Sequence, residues 1–184
     1  MWLVFSSGYS WYRGGLRGWA GASGRLDIVA RVLVAACYPG CSAREGCVFA
    51  ASLAGPALLV LVAEGGLCYE HEAGRVILEG LRGERGLLLP GVSGVEFAAL
   101  AASLGFRPLV LREGCREAWP HTLEKRLVVL GADIDPPEGI EGLGGECVSI
   151  GPRSYLASVV AAFLNALERL GLEYGGVGPR VAQP

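Results

Sequence analysis

Three glycine-bearing stretches stand where apolar runs end: Leu89-Pro90-Gly91-Val92-Ser93-Gly94, Leu130-Gly131, and Ser149-Ile150-Gly151-Pro152. Glycine at a strand end lets the backbone turn sharply. It also leaves N–H and C=O groups open to a ligand, above all where a helix starts directly afterwards. Such loops hold a group through the main chain. A second set of residues is charged: Arg13, Arg17, Arg25 and Arg31 lie near Trp2, Phe5, Tyr9, Trp11, Tyr12 and Trp19, six of the chain's 15 aromatics. Guanidinium groups among rings suit phosphate contact and base stacking; an ordinary surface loop with a few buried rings has the same composition. Asp27 falls in the first turn of a helix, where a carboxylate suits the dipole. Metal chemistry has little to build on. The six cysteines (37, 41, 47, 68, 115 and 147) contain no C-x-x-C pair, and His71 and His121 are the two histidines, so no standard zinc spacing arises. Buried or reduced thiols are expected. A disulfide among Cys37, Cys41 and Cys47 is the alternative, of the kind found in intracellular proteins of hyperthermophiles.

The elements that must position these residues fit one domain over 1–174, with a poorly ordered, Gly- and Pro-bearing tail at 175–184. Mean hydropathy is +0.42, yet the run Leu53 to Ala63 contains Gly55-Pro56 and spans only 11 residues. A membrane-crossing helix needs about 20. No basic stretch precedes the apolar opening residues, so a signal peptide is not indicated and a soluble, cytoplasmic protein is expected. The net charge of −2 does not by itself point to nucleic acid, but it is unevenly spread. Residues 1–44 carry five arginines against Asp27 alone, a net +4, and residues 113–146 carry eight acids against three bases, a net −5.

Strands are expected at Trp2 to Ser6, Cys47 to Leu53, Ala57 to Val62 (almost continuously apolar, hence central), Leu67 to Glu70, Leu87 to Leu89 (short and buried), Leu109 to Leu111, Leu127 to Leu130 and Cys147 to Ile150. Helices are expected at Gly24 to Cys37, capped by Ser23 or Gly24, at Ala73 to Leu81, at Gly94 to Leu104 behind Ser93, and at Tyr155 to Leu170. In the last helix Tyr155, Leu156, Val159, Val160, Phe163, Leu164, Leu167 and Leu170 form the apolar side, and Asn165, Glu168 and Arg169 the solvent side. One flank must pack on the sheet; a second fits another chain or simply the core. Alternating strands and helices predict an α/β domain with a mostly parallel sheet and helices on both faces, and a ligand beyond the strands' carboxyl ends.

The segment Gly21 to Cys37, containing Gly24-Arg25-Leu26-Asp27, resembles the G-x-G-R-L-D-V-V-x-R helix of the archaeal-type tRNA pseudouridine-54 N1-methyltransferases, in the SPOUT superfamily. Further resemblances follow in order: Leu53-Ala54-Gly55-Pro56 to L-x-G-P, Pro90-Gly91-Val92 to P-G-V, Leu130-Gly131 to L-G, Ser149 to Ser158 to S-L-G-P-x-S-Y-L-A-S, and Asn165 to Arg169 to N-x-L-D-R. They cover about residues 21–170. The resemblance implies a C-terminal trefoil knot, a homodimer packed through the knot helix, and S-adenosyl-L-methionine held by Pro90, Leu130, Gly131, Ser149, Ile150, Gly151, Tyr155, Leu156 and Val160. It implies methylation of pseudouridine N1 in a tRNA T-loop, with Asp27 assisting loss of the N1 proton and Arg25 holding the base or a phosphate. Asp27 as a plain first-turn carboxylate is the competing reading, and a ribosomal-RNA methyltransferase or an RNA-binding homologue without turnover are the competing functions. The chain departs from the pattern at Val159-Val160, where the family has His-Cys, and at Asp135-Pro136-Pro137, where it has a second glycine.

Overall fold

The structure, a computed structural model, describes residues 1–118, 122–151 and 156–170. The expectations at 152–155, Tyr155 among them, and for the tail at 175–184 lie outside them. In chain order the elements are β1 (Trp2–Tyr9), α1 (Trp19–Ala22), α2 (Leu26–Cys37), β2 (Val48–Ala54), β3 (Ala57–Val62), α3 (Glu70–Leu81), β4 (Leu87–Pro90), α4 (Gly94–Ser103), β5 (Arg107–Glu117), β6 (Arg126–Gly131), β7 (Glu146–Ser149) and α5 (Ala157–Leu170), with 3-10 turns at Pro39–Cys41 and Glu141–Leu143.

The seven strands form one sheet in the order β4-β3-β2-β1-β6-β5-β7. The run β2-β1-β6-β5-β7 is parallel throughout, and β3 and β4 add antiparallel pairs at one side. The turn explains that change of direction. Only Gly55 and Pro56 separate β2 from β3, and a two-residue connection can return a strand only antiparallel. The strand period of two then divides the core. Trp2 and Val4 face the layer holding α2, α3 and α5; Leu3 and Phe5 face the layer holding Ala98 and Ala101 of α4. The sheet is therefore mixed but mostly parallel, with helices on both faces.

Several expectations need correction. Strand β3 lies second from the edge, and β1 occupies the centre. Strand β4 is an edge strand with Leu87 exposed, and among the described residues no strand pairs with its outer side. Leu67 to Glu70 is not a strand; the Glu72 carboxylate takes the N–H groups of Cys68 (2.8 Å) and Tyr69 (3.1 Å) and starts α3 at Glu70. Strand β1 runs past the expected Ser6 to Tyr9, and α1 forms over Trp19–Ala22 where no helix is expected. The cysteines form three disulfides, Cys37–Cys47, Cys41–Cys68 and Cys115–Cys147. The first joins the end of α2 to the start of β2 and the third joins β5 to β7, so each fixes neighbours that the sheet must also order.

Asn165 is the most instructive correction. It is 4% exposed, not on the solvent side of α5. A helix ends with four carbonyls lacking a partner within the helix. In α2 those four are all taken: Val34 O by Tyr38 N (2.9 Å), Ala35 O and Ala36 O by Asn165 Nδ2 (2.7 and 2.9 Å), and Cys37 O by Arg44 N (2.7 Å). Asn165 Oδ1 accepts from Arg44 Nη1 at 3.0 Å, and Arg44 also pairs with Glu168 at 2.6 Å. The amide thus fixes how α5 sits on α2. The face of α5 on the other side carries exposed Leu156, Val159 and Leu170, so Val159 is not in the core either.

Candidate functional site

Strands β5, β6 and β7 end side by side, and their carboxyl ends with the start of α5 enclose a cavity of about 540 Å3. Its apolar floor is Leu111, Leu130 and Val148, the last inward residues of the three strands. At Gly131 the chain doubles back so tightly that a Cβ would lie 2.5 Å from Ile134 O, so glycine is required for the return. That return brings Ala132 to Asp135 over one side of the cavity. It is anchored twice. Ala132 N donates to Phe5 O (2.8 Å), and the Asp133 carboxylate accepts from Ser6 Oγ (2.8 Å), Ser7 N (3.1 Å) and Ser7 Oγ. On the β7 side, Ser149 Oγ donates to Gly151 O (2.6 Å) and closes a tight turn. Strand β5 bulges beside its partner: Leu111 and Arg116 both pair with Val148 of β7, and Arg112 and Glu113 from the bulge line the cavity. Arg112 Nη2 donates to Pro136 O (2.9 Å) and Pro137 O (3.1 Å), so this cation fastens the far end of the acidic loop. Three carboxylates, Glu113, Asp133 and Asp135, remain on the lining. The site therefore combines an apolar floor with an acidic rim.

Six of the expected cofactor residues line this cavity together: Leu130, Gly131, Ser149, Ile150, Leu156 and Val160. Gly151 lines a smaller recess beside it with Glu113, Cys115 and Glu117. Tyr155 lies outside the described residues. Pro90 does not line the cavity; it ends β4, with β3, β2 and β1 between it and β6. The sequence reading did not single out Arg112, Glu113, Asp133 or Asp135 as site residues. The net −5 over 113–146 marked the region as acidic, but nothing local told which acids turn inward.

The charged set assembles at the other end of the same Ser6-Ser7 segment. Gly24 and Arg25 both adopt left-handed backbone, with φ of 66° and 78°. A Cβ at Gly24 would meet Ser7 O at 2.6 Å, so this glycine answers a close approach. Arg25 has no such freedom, and a left-handed non-glycine residue costs on the order of 1–2 kcal/mol. Arg25, not Ser23 or Gly24, stands at the N-cap of α2, although Ser23 Oγ accepts from Leu26 N (3.2 Å). Asp27 is 3% exposed, and both its oxygens are occupied, by Arg25 Nε (3.3 Å) and Arg31 Nη2 (2.5 Å). Arg31 reaches Glu70 as well (3.3 Å), so its charge is spent inside the fold. Arg25, with half its side chain exposed, is the cation that this arrangement aims outward. Arg13 Nη1 bonds Ser10 O and Tyr12 O, both at 3.0 Å, and Arg17 is exposed. Ser7 Oγ also lies 3.0 Å from Gly24 O, and its single proton serves either that carbonyl or Asp133, so one residue touches both the acidic loop and the arginine turn. Among the described residues no group of His, Cys, Asp and Glu could hold a metal ion, and no helix is long and apolar enough to cross a membrane.

No protein-family model matches the chain, and no curated protein matches it in sequence. Among solved structures the fold is similar to the crystal structure of Archaeoglobus fulgidus Nep1 bound to S-adenosylhomocysteine, with a TM-score of 0.57. That match covers 92% of this chain and 97% of the other at 17% identity, which establishes likeness of fold.

Proposed function

We propose that this protein is an S-adenosylmethionine-dependent RNA methyltransferase of SPOUT type, and that its acceptor is N1 of pseudouridine in the T-loop of tRNA. The cavity at the ends of β5, β6 and β7 carries the proposal. It gathers six residues expected for the cofactor from three separate stretches of sequence, in a fold like that of a protein holding S-adenosylhomocysteine. That compound is what S-adenosylmethionine becomes once its methyl is gone.

The lining fits the cofactor. A volume of about 540 Å3 lies within the range of about 300–1,000 Å3 usual for small-molecule sites. Leu111, Leu130, Val148 and Val160 offer apolar surface to an adenine ring, and Glu113, Asp133 and Asp135 offer negative charge to a cation. When bound, S-adenosylmethionine supplies a methyl on a sulfonium, ready for in-line displacement. The protein's part is positioning. The main chain at Leu130-Gly131 and Ser149-Ile150, with Leu156 opposite, would hold the nucleoside. Val160, standing in the family's His-Cys position, contributes packing and no thiol. Arg25 would contact the acceptor base or its phosphate. The N1 proton would pass to solvent water as N1 takes the methyl. Asp27, with both oxygens held by guanidinium groups, would act through Arg25 as a positioning residue.

Two further features of the family reading are proposed with it. One is a C-terminal trefoil knot, which would thread α5 past the connection between β5 and β6, where Leu123 N donates to Glu168 Oε1 at 3.3 Å. Exposed Leu156, Val159 and Leu170 supply an apolar strip on α5 for a second copy in a homodimer. The domain would then span 1–174, in the cytoplasm.

The test is methyl transfer from labelled S-adenosylmethionine to a pseudouridylated tRNA transcript and, in parallel, to ribosomal RNA. N1-methylpseudouridine in the tRNA is expected, with Arg25→Ala lowering transfer about 100-fold, the scale for removing one charge-stabilising donor. Transfer only to ribosomal RNA would overturn the tRNA assignment. Cofactor binding without transfer to either would overturn both acceptors, and absence of cofactor binding would leave an RNA-binding protein.

A further inference from the structure

Tyr9 and Trp11 stack on each other at the protein surface, with ring centroids 4.9 Å apart and planes within 10°. Tyr9 is 38% exposed and Trp11 is 57% exposed, so neither ring is placed there to fill the core. Their position is nonetheless built. Tyr9 N donates to Ser23 O (2.7 Å), Ser10 N to Ala54 O (3.2 Å) and Ser10 Oγ to Gly55 O (3.1 Å). A Cβ at Gly24 would meet the Tyr9 ring at 2.8 Å, and one at Gly55 would fall on the Trp11 ring. Two glycines in two different stretches thus make room for one aromatic pair. Fixing a pair of large rings in advance lowers the entropy lost when a ligand settles on them.

The surroundings decide the ligand. Arg25 follows Gly24 directly and projects its guanidinium outward, and Arg13 and Arg17 lie on the same segment. A flat apolar surface with exposed cations on the same segment matches a nucleobase with its phosphates, since every base has a π-face and every nucleotide an anion. An apolar protein partner would gain nothing from the arginines.

We infer that the Tyr9–Trp11 pair is a stacking platform for an unpaired nucleobase of the RNA substrate, next to the nucleotide that Arg25 engages. The inference deepens the methyltransferase reading and rests on it for the identity of the polymer. A base in a duplex already stacks on its neighbours, so the platform selects looped or single-stranded RNA.

The experiment measures fluorescence anisotropy of a labelled RNA hairpin with a pyrimidine-rich loop, and of the same strand annealed to its complement. Trp11→Ala should weaken hairpin binding roughly five- to 150-fold, the range for losing one base–aromatic stack, and leave duplex binding unchanged. Tyr9→Ala should weaken it in the same direction, and Trp11→Phe should restore most of it. Circular dichroism and cofactor titration should match the parent protein for all three. Equal losses on hairpin and duplex, wild-type binding by Trp11→Ala, no rescue by phenylalanine, or no RNA binding by the parent protein would each overturn the platform. Methyl transfer is read separately. Trp11-dependent hairpin binding without transfer sinks the enzyme and keeps the platform; transfer unaffected by Trp11→Ala, with unchanged hairpin binding, does the reverse.

Discussion

The two ends of α2 carry residues of equally motif-like appearance and opposite physical character. At its carboxyl end every orphan carbonyl has a donor, Asn165 is buried, and the Cys37–Cys47 disulfide closes the corner. At its amino end two consecutive left-handed residues lead into the helix, Arg25 is half exposed, and a buried carboxylate holds it in place. One end is fully satisfied and serves stability. The other bears a conformational cost that nothing in the core requires, and that is where a function is to be sought.

Substitutions can break this contrast. The largest effect on stability is expected for Asn165→Leu. It strips Ala35 O and Ala36 O of their donor and leaves Arg44 one partner fewer, for a loss of about 3 kcal/mol at 1–3 kcal/mol per unsatisfied buried group. Urea unfolding measures this, and transfer per folded molecule should be unchanged; a loss of activity in excess of the unfolded fraction would place Asn165 in the machinery. Arg25→Gly should change stability less, because the roughly 1 kcal/mol that glycine gains in left-handed backbone is offset by the loss of the Arg25 partner from the buried Asp27 carboxylate. The same variant should lose methyl transfer. A variant that is both less stable and fully active would erase the distinction between the ends.

The smallest effect concerns acid, and sharpens the contrast among helix starts. Hydrogen bonds from the Cys68 and Tyr69 backbone hold the Glu72 carboxyl below its usual range, and the backbone N–H and hydroxyl of Ser93 do the same for Glu96. Both folded values lie below the ordinary 4.5, so the contribution to stability is complete above that pH and is lost as pH falls through the lowered values. Helices α3 and α4 should therefore loosen at their first turns below about pH 4.5, seen as faster amide exchange at Glu72 and Glu96. At the start of α2 the Leu26 N–H goes to the Ser23 hydroxyl instead.

Periodicity and turn chemistry made much of the fold legible. The 3.6 spacing of Leu26, Val29, Leu33 and Ala36 marked α2, and Gly55-Pro56 marked the break between β2 and β3. Leu130, Gly131, Ser149 and Ile150 stand at strand ends, where glycine and serine have a local reason to be, and they line one cavity. What stayed hidden depends on partners distant in sequence. Asn165 looks like any polar residue on a helix until Ala35 and Ala36 are set against it. Pro90 looks like its counterparts in the other loops, but its strand was delivered to the opposite edge of the sheet. Three disulfides spanning 10, 27 and 32 residues left no spacing signature. Asp133 is one acid among eight until Ser6 and Ser7 select it.

Ser7 has one further consequence. Its side chain meets Asp133 on the cavity wall and Gly24 on the arginine turn, so the two regions share a single hydroxyl. Any occupant that changes the bonding of Asp133 alters the support under Arg25, and any polymer that shifts the Arg25 turn alters the wall of the cavity. Binding equilibria joined in this way are reciprocal: whatever factor one ligand imposes on the affinity of the second, the second imposes on the first.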